Sequence, residues 1–368
     1  IFMNKNSNNM FFIAGFGNPL LDICVNIKDV SLLEKFNLEP DGQKEIDEVQ
    51  MKDLIDCVYS DQKKKVTFHA GGSAQNTLRI IQHLIKTPSF TIFFGSCGKD
   101  DKCKILQSIV QQACVECRYA TQIGKATGTV ISLINGSNRS LVAHLGAANF
   151  YSLEDFKSHD NLDIIKNVSF VYIEGFFLSH SFNVALEIIK ICRQQGNVVV
   201  FNLSGSYLFA NHSQELATVT LLADIIIGNK SEFLALANFF KIHHLSMKEI
   251  LLFITSLDFK MFVLDVDEFS HKTPYKHSEM LEFQQILICT DGNNPILAVF
   301  KKSEFISFPV KYVDSSMIID TTGAGDAFSA GFIVGFIINN PIKECLNRGC
   351  ELAQKVIQSI GCNISETP

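Results

Sequence analysis

Short, continuous apolar runs alternate with amphipathic segments through most of this chain, and that alternation constrains the fold most. Phe11–Gly15, Thr91–Phe94, Val168–Ile173, Val198–Phe201 and Ile225–Ile227 read as strands buried on both faces. Between them, Leu78, Ile81, Leu84 and Ile85 mark one face of a helix opened by Gly71-Gly72-Ser73, with Ser73 as its N-cap. Further helices are expected at Lys102–Gln112, Phe182–Cys192 and Glu232–Phe239. Strand–helix alternation of this kind predicts an α/β fold with a mostly parallel central sheet and helices on both faces. Two stretches depart from it. Leu21–Ile27 and Thr127–Leu145, with a hairpin turn at Asn135-Gly136, read as a small second β layer. Residues 241–285 are polar in patches and hold no steady period, so they are expected to be a surface insertion.

The 368 residues suffice for one large α/β domain, and 47% hydrophobic with 19% charged residues is a globular composition. A formal charge of -6 excludes a broad basic face for nucleic-acid polymers, though not a nucleotide ligand held by local dipoles. Eleven cysteines without a regular framework fit a reducing compartment, and a cytoplasmic location is expected. The only early apolar run, Met10 to Phe16, is seven residues long, and no stretch approaches eighteen uninterrupted apolar residues, so no membrane span is expected. Cys114-Val115-Glu116-Cys117 stands alone, without the second pair that zinc needs, and no P-loop sequence is present.

The densest chemistry lies in Asp320-Thr321-Thr322-Gly323-Ala324-Gly325-Asp326, which leads into the apolar helix Ala330–Ile338. Glycines at a helix start let backbone N–H groups approach an anion, and the helix dipole points at the same place. A carboxylate at Asp326 would repel a bound phosphate unless it served the reaction. The fitting task is to take a proton from an attacking hydroxyl while the amides of Gly323, Ala324 and Gly325 hold a transferring phosphoryl group. The plainer alternative is a glycine-rich turn capped by Asp326.

Asp320–Asp326 resembles the signature of the PfkB, ribokinase-like carbohydrate kinases, and Gly71-Gly72-Ser73-Ala74-Gln75-Asn76 resembles that family's N-terminal glycine motif. Gly17-Asn18-Pro19-Leu20-Leu21-Asp22-Ile23, Asn138-Arg139-Ser140-Leu141, Gly175-Phe176-Phe177-Leu178, Asn202-Leu203-Ser204 and Gly228-Asn229-Lys230-Ser231-Glu232 are similar to blocks of its adenosine kinase branch. The blocks run in the family's order from Gly17 to Gly361. Thr322 departs from that branch, where Asn is common, and matches the sugar kinases instead.

The resemblance implies one ribokinase-like domain over 1–368 with a β lid built from residues 19–48 and 117–146. It implies ATP as phosphate donor, Mg²⁺ as cofactor, adenosine as substrate and a monomer. Asp326 would be the general base and Arg139 a cation near the transferred phosphate. Asp22, Gly71, Gly72 and Asn76 would contact the ribose, Asn18 would belong to the same substrate site, and Gln43 and Ser73 would lie near the nucleoside. Asp22 is chemically suited to accept from two adjacent hydroxyls. Phe177 and Tyr207 offer flat faces for a purine, under an apolar cover of Leu141, Ala143 and Leu145. Asn229, Thr290, Gly292, Thr322 and Gly325 would hold ATP. Glu232 would reach the metal through water and Asn229 indirectly, which suits an ion that keeps most of its waters. A helix-capping role for Asn229 and Glu232 competes with that reading. Another nucleoside or a free sugar, or a catalytically silent nucleoside sensor, are the alternative functions.

Overall fold

The computed structural model describes residues 12–27, 31–39, 42–60, 66–135, 138–157, 160–261, 269, 272–275, 285–300, 304–359 and 361–362. Its centre is a nine-stranded sheet. β1 (Ile13–Phe16) lies between β5 (Thr91–Gly98) and β9 (Phe170–Glu174), parallel to both. The chain runs outward from β5 to β6 (Glu116–Gln122) on one side. On the other it runs from β9 through β10 (Val198–Asn202) and β11 (Ile225–Asn229) to β12 (Ile286–Asp291), all parallel. Antiparallel β13 (Asn294–Phe300) and β14 (Glu304–Phe308) finish that edge. Strand order therefore reverses between β1 and β9, and in open α/β sheets such a switch point opens a ligand crevice at the carboxyl ends of the strands.

The β runs are apolar on both faces because both faces are covered. Ile13 belongs to one core cluster and Ala14 and Phe16 to the other, following the two-residue alternation of a strand. The helix Ala324–Ile337 is buried from Ala327 to Ile337 and packs between the helices Ser73–Ile85 and Ile342–Val356. On the opposite face the helix Gly175–Gln195 bends at Ser181, whose backbone is non-helical. It begins well before the expected Phe182 start. Among the described helices it alone has the length and apolarity to cross a membrane, and half of that window is buried inside the fold.

A second, five-stranded sheet stands over the carboxyl ends in the order β3-β8-β7-β2-β4. It comprises β2 (Leu20–Asn26), β3 (Gln43–Glu45), β4 (Val66–Gly71), β7 (Thr129–Asn135) and β8 (Asn138–His144). The expected lid segments need two corrections. Residues 117–122 pair with β5 as part of the main sheet, and β4, outside both segments, pairs with β2. Gly136 of the expected turn lies outside the described residues.

Residues 241–285 are not simply a surface insertion. Met247–Ser256 is a helix capped by a reciprocal Ser246–Glu249 box, and Ile250, Leu251 and Ile254 are fully buried in the second core cluster. Further on, Lys272 pairs with the buried Asp224 across 2.6 Å. The polar patches hid a helix whose apolar stripe faces β13. Much of the remaining stretch lies outside the described residues.

Candidate active site

Two cavities meet at Asp326. The larger, about 770 Å³, lies under the second sheet, and Asn18, Asp22, Gly72, Ser73 and Asn76 line it. The smaller, about 340 Å³, is lined by Asn229, Glu232, Thr290, Gly323 and Gly325. Ser73, Leu141, Phe176, Thr322 and Asp326 line both.

Asp326 stands in the first turn of the helix Ala324–Ile337, which no side chain caps. Gly323 takes the capping position with φ 80°, a left-handed conformation that disfavours any residue with a Cβ. The turn is fixed by Asp320, whose Oδ1 accepts from Thr322 N at 2.9 Å and Oδ2 from Gly361 N at 2.7 Å. One expectation changes here. Ala324 N donates to Thr321 O at 3.2 Å, and only Gly323 and Gly325 of the three line the cavity. The tight turn draws the middle amide back onto the chain.

The carboxylate is set by the other glycine motif. Ser73 Oγ donates to Asp326 Oδ1 at 2.6 Å, and Asn76 Nδ2 donates to Oδ2 at 3.1 Å. Ser73 is thus not the N-cap expected from sequence; Gly72 holds that place, with φ 90°. Burial pushes the Asp326 carboxyl up to about 6, against the downward pull of those two hydrogen bonds. A group so placed is mostly ionised at neutral pH and can still accept a proton.

Asp22 lies on β2 opposite His69, and Gly71 lies beside it. A Cβ at Gly71 would stand 2.0 Å from Asp22 Oδ1, so only glycine leaves the carboxylate its position. Asn18 also faces the larger cavity, and His180 Nε2 lies 2.8 Å from its Oδ1. Burial lowers His180 to about 4, leaving its ring neutral.

The apolar wall follows expectation in part. Leu141, Ala143 and Leu145 line the larger cavity, although Leu145 falls just beyond the end of β8. Tyr207 is there too, well exposed. Phe177 is not. It is fully buried against Phe16 and Tyr151 in the core, whereas Phe176 faces the cavity with its ring 6.2 Å from that of Tyr207. The helix starts at Gly175, so the adjacent phenylalanines diverge by about 100° and meet different surroundings.

In the smaller cavity Asn229 and Glu232 form a complete capping box at the helix Lys230–Phe239. Glu232 Oε2 accepts from Asn229 N and Oε1 from Asn229 Nδ2, both at 2.8 Å. Capping does not remove Glu232 from the wall, and burial raises its carboxyl to about 7. Thr290 follows in register opposite Asn229. Gly292 sits in the exposed β12–β13 turn with φ 57° and is not among the residues lining either cavity. Backbone pairing places Gln43 opposite Leu141 and Arg139 opposite Ile134. Their side chains lie outside what the structure describes.

Sequence reasoning overlooked Glu174, which ends β9 and is fully buried at the cavity floor. A carboxylate closing an apolar strand just before Gly175-Phe176 was the available signal.

The arrangement joins a buried carboxyl group, a helix start that no side chain caps and two cavities. The family model for pfkB family carbohydrate kinases matches residues 42–368. The chain belongs to the PfkB family. It is 29% identical to adenosine kinase 1 of Arabidopsis thaliana over 364 residues, covering 97% of this chain and 96% of that protein. Among solved structures, Anopheles gambiae adenosine kinase in complex with P1,P4-di(adenosine-5) tetraphosphate superposes with a TM-score of 0.80 at 30% identity, covering 95% of this chain and 96% of that one. Adenosine kinase from Schistosoma mansoni in complex with adenosine and AMP gives 0.79 at 28% identity, covering 96% and 98%. As a PfkB kinase the chain has the ribokinase-like fold.

Proposed function

We propose that this PfkB kinase is an adenosine kinase, moving the γ-phosphoryl group of ATP to the 5′-hydroxyl of adenosine to give AMP and ADP. The observation that carries it is Asp326 at the junction of a nucleoside-sized cavity and a second cavity walled by a helix start. Adenosine occupies the larger cavity, its ribose hydroxyls on Asp22 and its purine against the wall made by Phe176 and Tyr207, beneath Leu141 and Ala143. Asn18 and the Gly71-Gly72 turn close the ribose side. ATP occupies the smaller cavity against Asn229, Thr290 and Thr322. Asp326 takes the 5′-hydroxyl proton as the oxygen attacks, while the amides of Gly323 and Gly325 stabilise charge on the transferring group. The PfkB resemblance supports Arg139, on β8, as a cation near that phosphate.

Mg²⁺ fits the residues present. Glu232, a buried carboxyl lining the smaller cavity, would hold the ion through water, which suits a cation that keeps most of its waters. When bound, the ion neutralises phosphate charge. The second sheet acts as the lid, the enzyme works as a monomer, and it resides in the cytoplasm. All eleven cysteines are free thiols, which supports a reducing compartment. Asn202, of one glycosylation-like triplet, donates to Tyr172 Oη and Ser329 Oγ inside the fold.

The test is phosphoryl transfer from ATP to adenosine, guanosine, inosine, ribose and fructose, measured side by side. Adenosine should give the highest kcat/KM. A higher value for a free sugar or another nucleoside would reassign the substrate, and no transfer to any would leave a silent binder.

A further inference from the structure

We propose that Glu174 is a positioning residue that locks the nucleoside-side loop to the helix carrying the partners of the catalytic base. Strand order reverses between β1 and β9, and their ladder ends at the pair Phe16–Ile173, so beyond it no strand pairing holds the crevice mouth together. Glu174 bridges it. Its Oε1 accepts from Asn18 N at 2.7 Å, in the loop after β1. Its Oε2 accepts from Ala74 N at 2.6 Å, in the first turn of the helix Ser73–Ile85. One fully buried side chain thus ties three elements together.

What hangs on those two amides gives the brace its meaning. Asn18 lines the nucleoside cavity, with His180 on its side-chain oxygen. Ala74 follows Ser73, whose hydroxyl holds Asp326. Glu174 therefore sets the distance between the sugar contacts and the base, and a displacement on the scale of 1 Å at such sites can cost about 10²-fold in rate. Packing supports the same role. A Cβ at Gly17 would lie 2.5 Å from Glu174 Cδ and 2.8 Å from the Ala74 Cβ, so the loop is seated directly on the carboxyl group. A residue needed only for the core would not place each oxygen on an amide of a different substrate-facing segment.

The inference rests on the adenosine kinase reading for its kinetic arm alone. Glu174→Ala, which removes both acceptors, and Glu174→Gln, which keeps one, are compared with the parent enzyme in thermal unfolding, steady-state kinetics and amide hydrogen exchange. In Glu174→Ala, KM for adenosine should rise and kcat fall, each by about tenfold or more, while KM for ATP stays within about threefold. Glu174→Gln should recover part of both losses, and it carries the test if the alanine variant does not fold. Exchange at both Asn18 and Ala74 should quicken by about tenfold in Glu174→Ala, and at one of the two in Glu174→Gln, with β10 unchanged. A lower unfolding temperature with parent KM and kcat would make Glu174 merely structural and overturn the proposal. So would unchanged exchange at both amides. Absence of adenosine turnover in the parent enzyme would instead sink the substrate assignment, and the exchange arm would still decide the brace.

Discussion

The hydroxyl of Ser73 donates to Oδ1 of Asp326 across 2.6 Å, joining residues 253 positions apart. Each belongs to one glycine motif, and the bond brings the two motifs together. The bond stabilises the charged carboxylate and so opposes the desolvation that raises the group to about 6. Asp326 is left ionised at neutral pH with a proton affinity higher than that of an exposed aspartate.

The rate should therefore carry an acid limb near pH 6. Below that value Asp326 is protonated and cannot accept the hydroxyl proton, so kcat/KM falls tenfold per pH unit; above it the rate levels off. Ser73→Ala removes a bond to the charged form and should move the limb to higher pH. For stability the sign is the reverse. A carboxyl whose folded value is raised favours folding when protonated, and that contribution is lost as pH rises through about 6. A pH–rate profile whose limb stays near 4 in both enzymes would contradict this account.

Asp326→Asn keeps the size and the polar contacts but removes the proton acceptor. Loss of a general base costs about 10²–10⁴-fold, roughly 3–5 kcal/mol of barrier. Adenosine binding, measured by calorimetry, should change little because the sugar and purine contacts remain. Turnover at the parent rate would reduce Asp326 to a helix-start residue.

Phe176 and Phe177 should separate binding from stability. Phe176→Ala strips one wall of the purine site and should raise KM for adenosine about tenfold with little change in unfolding temperature. Phe177→Ala opens a cavity in the core and should destabilise by about 3–5 kcal/mol. Kinetics and thermal unfolding of the two variants decide between this assignment and the reverse.

Much of the fold was legible because parallel strands covered on both faces must be apolar throughout, as in Val198–Phe201 and Ile225–Ile227. The glycine motifs were legible for a similar reason: few other residues suit a positive φ or a Cβ-free approach such as that of Gly71 to Asp22. Facing was harder to read. Nothing in a Phe-Phe pair says which ring enters the core until the helix start is placed at Gly175. Met247–Ser256 escaped because its helical stripe is short and bounded by polar runs, and its burial depends on contact with β13. Glu174 was hidden because its two partners, Asn18 and Ala74, are 156 and 100 residues away.

The proposed reading of the sugar by Asp22 depends on its glycine neighbour. Asp22 faces the nucleoside cavity from β2, and the missing Cβ at Gly71 lets the carboxylate sit there. With two adjacent ribose hydroxyls donating to it under the bound nucleoside, deleting one removes a hydrogen bond to a charged, half-buried acceptor, at a cost of about 1–3 kcal/mol. Deoxyadenosine should then be about tenfold poorer than adenosine in kcat/KM, and Asp22→Ala should erase the difference by weakening adenosine itself. Gly71→Ala keeps the carboxylate but drives a methyl group into it. It should weaken both nucleosides and narrow the gap between them, since the displaced oxygen no longer meets both hydroxyls. Measuring kcat/KM for the two nucleosides with all three enzymes separates the readings. If adenosine and deoxyadenosine are equivalent in the parent enzyme, Asp22 does not read the sugar, and Gly71 serves only the turn into the helix that carries Ser73.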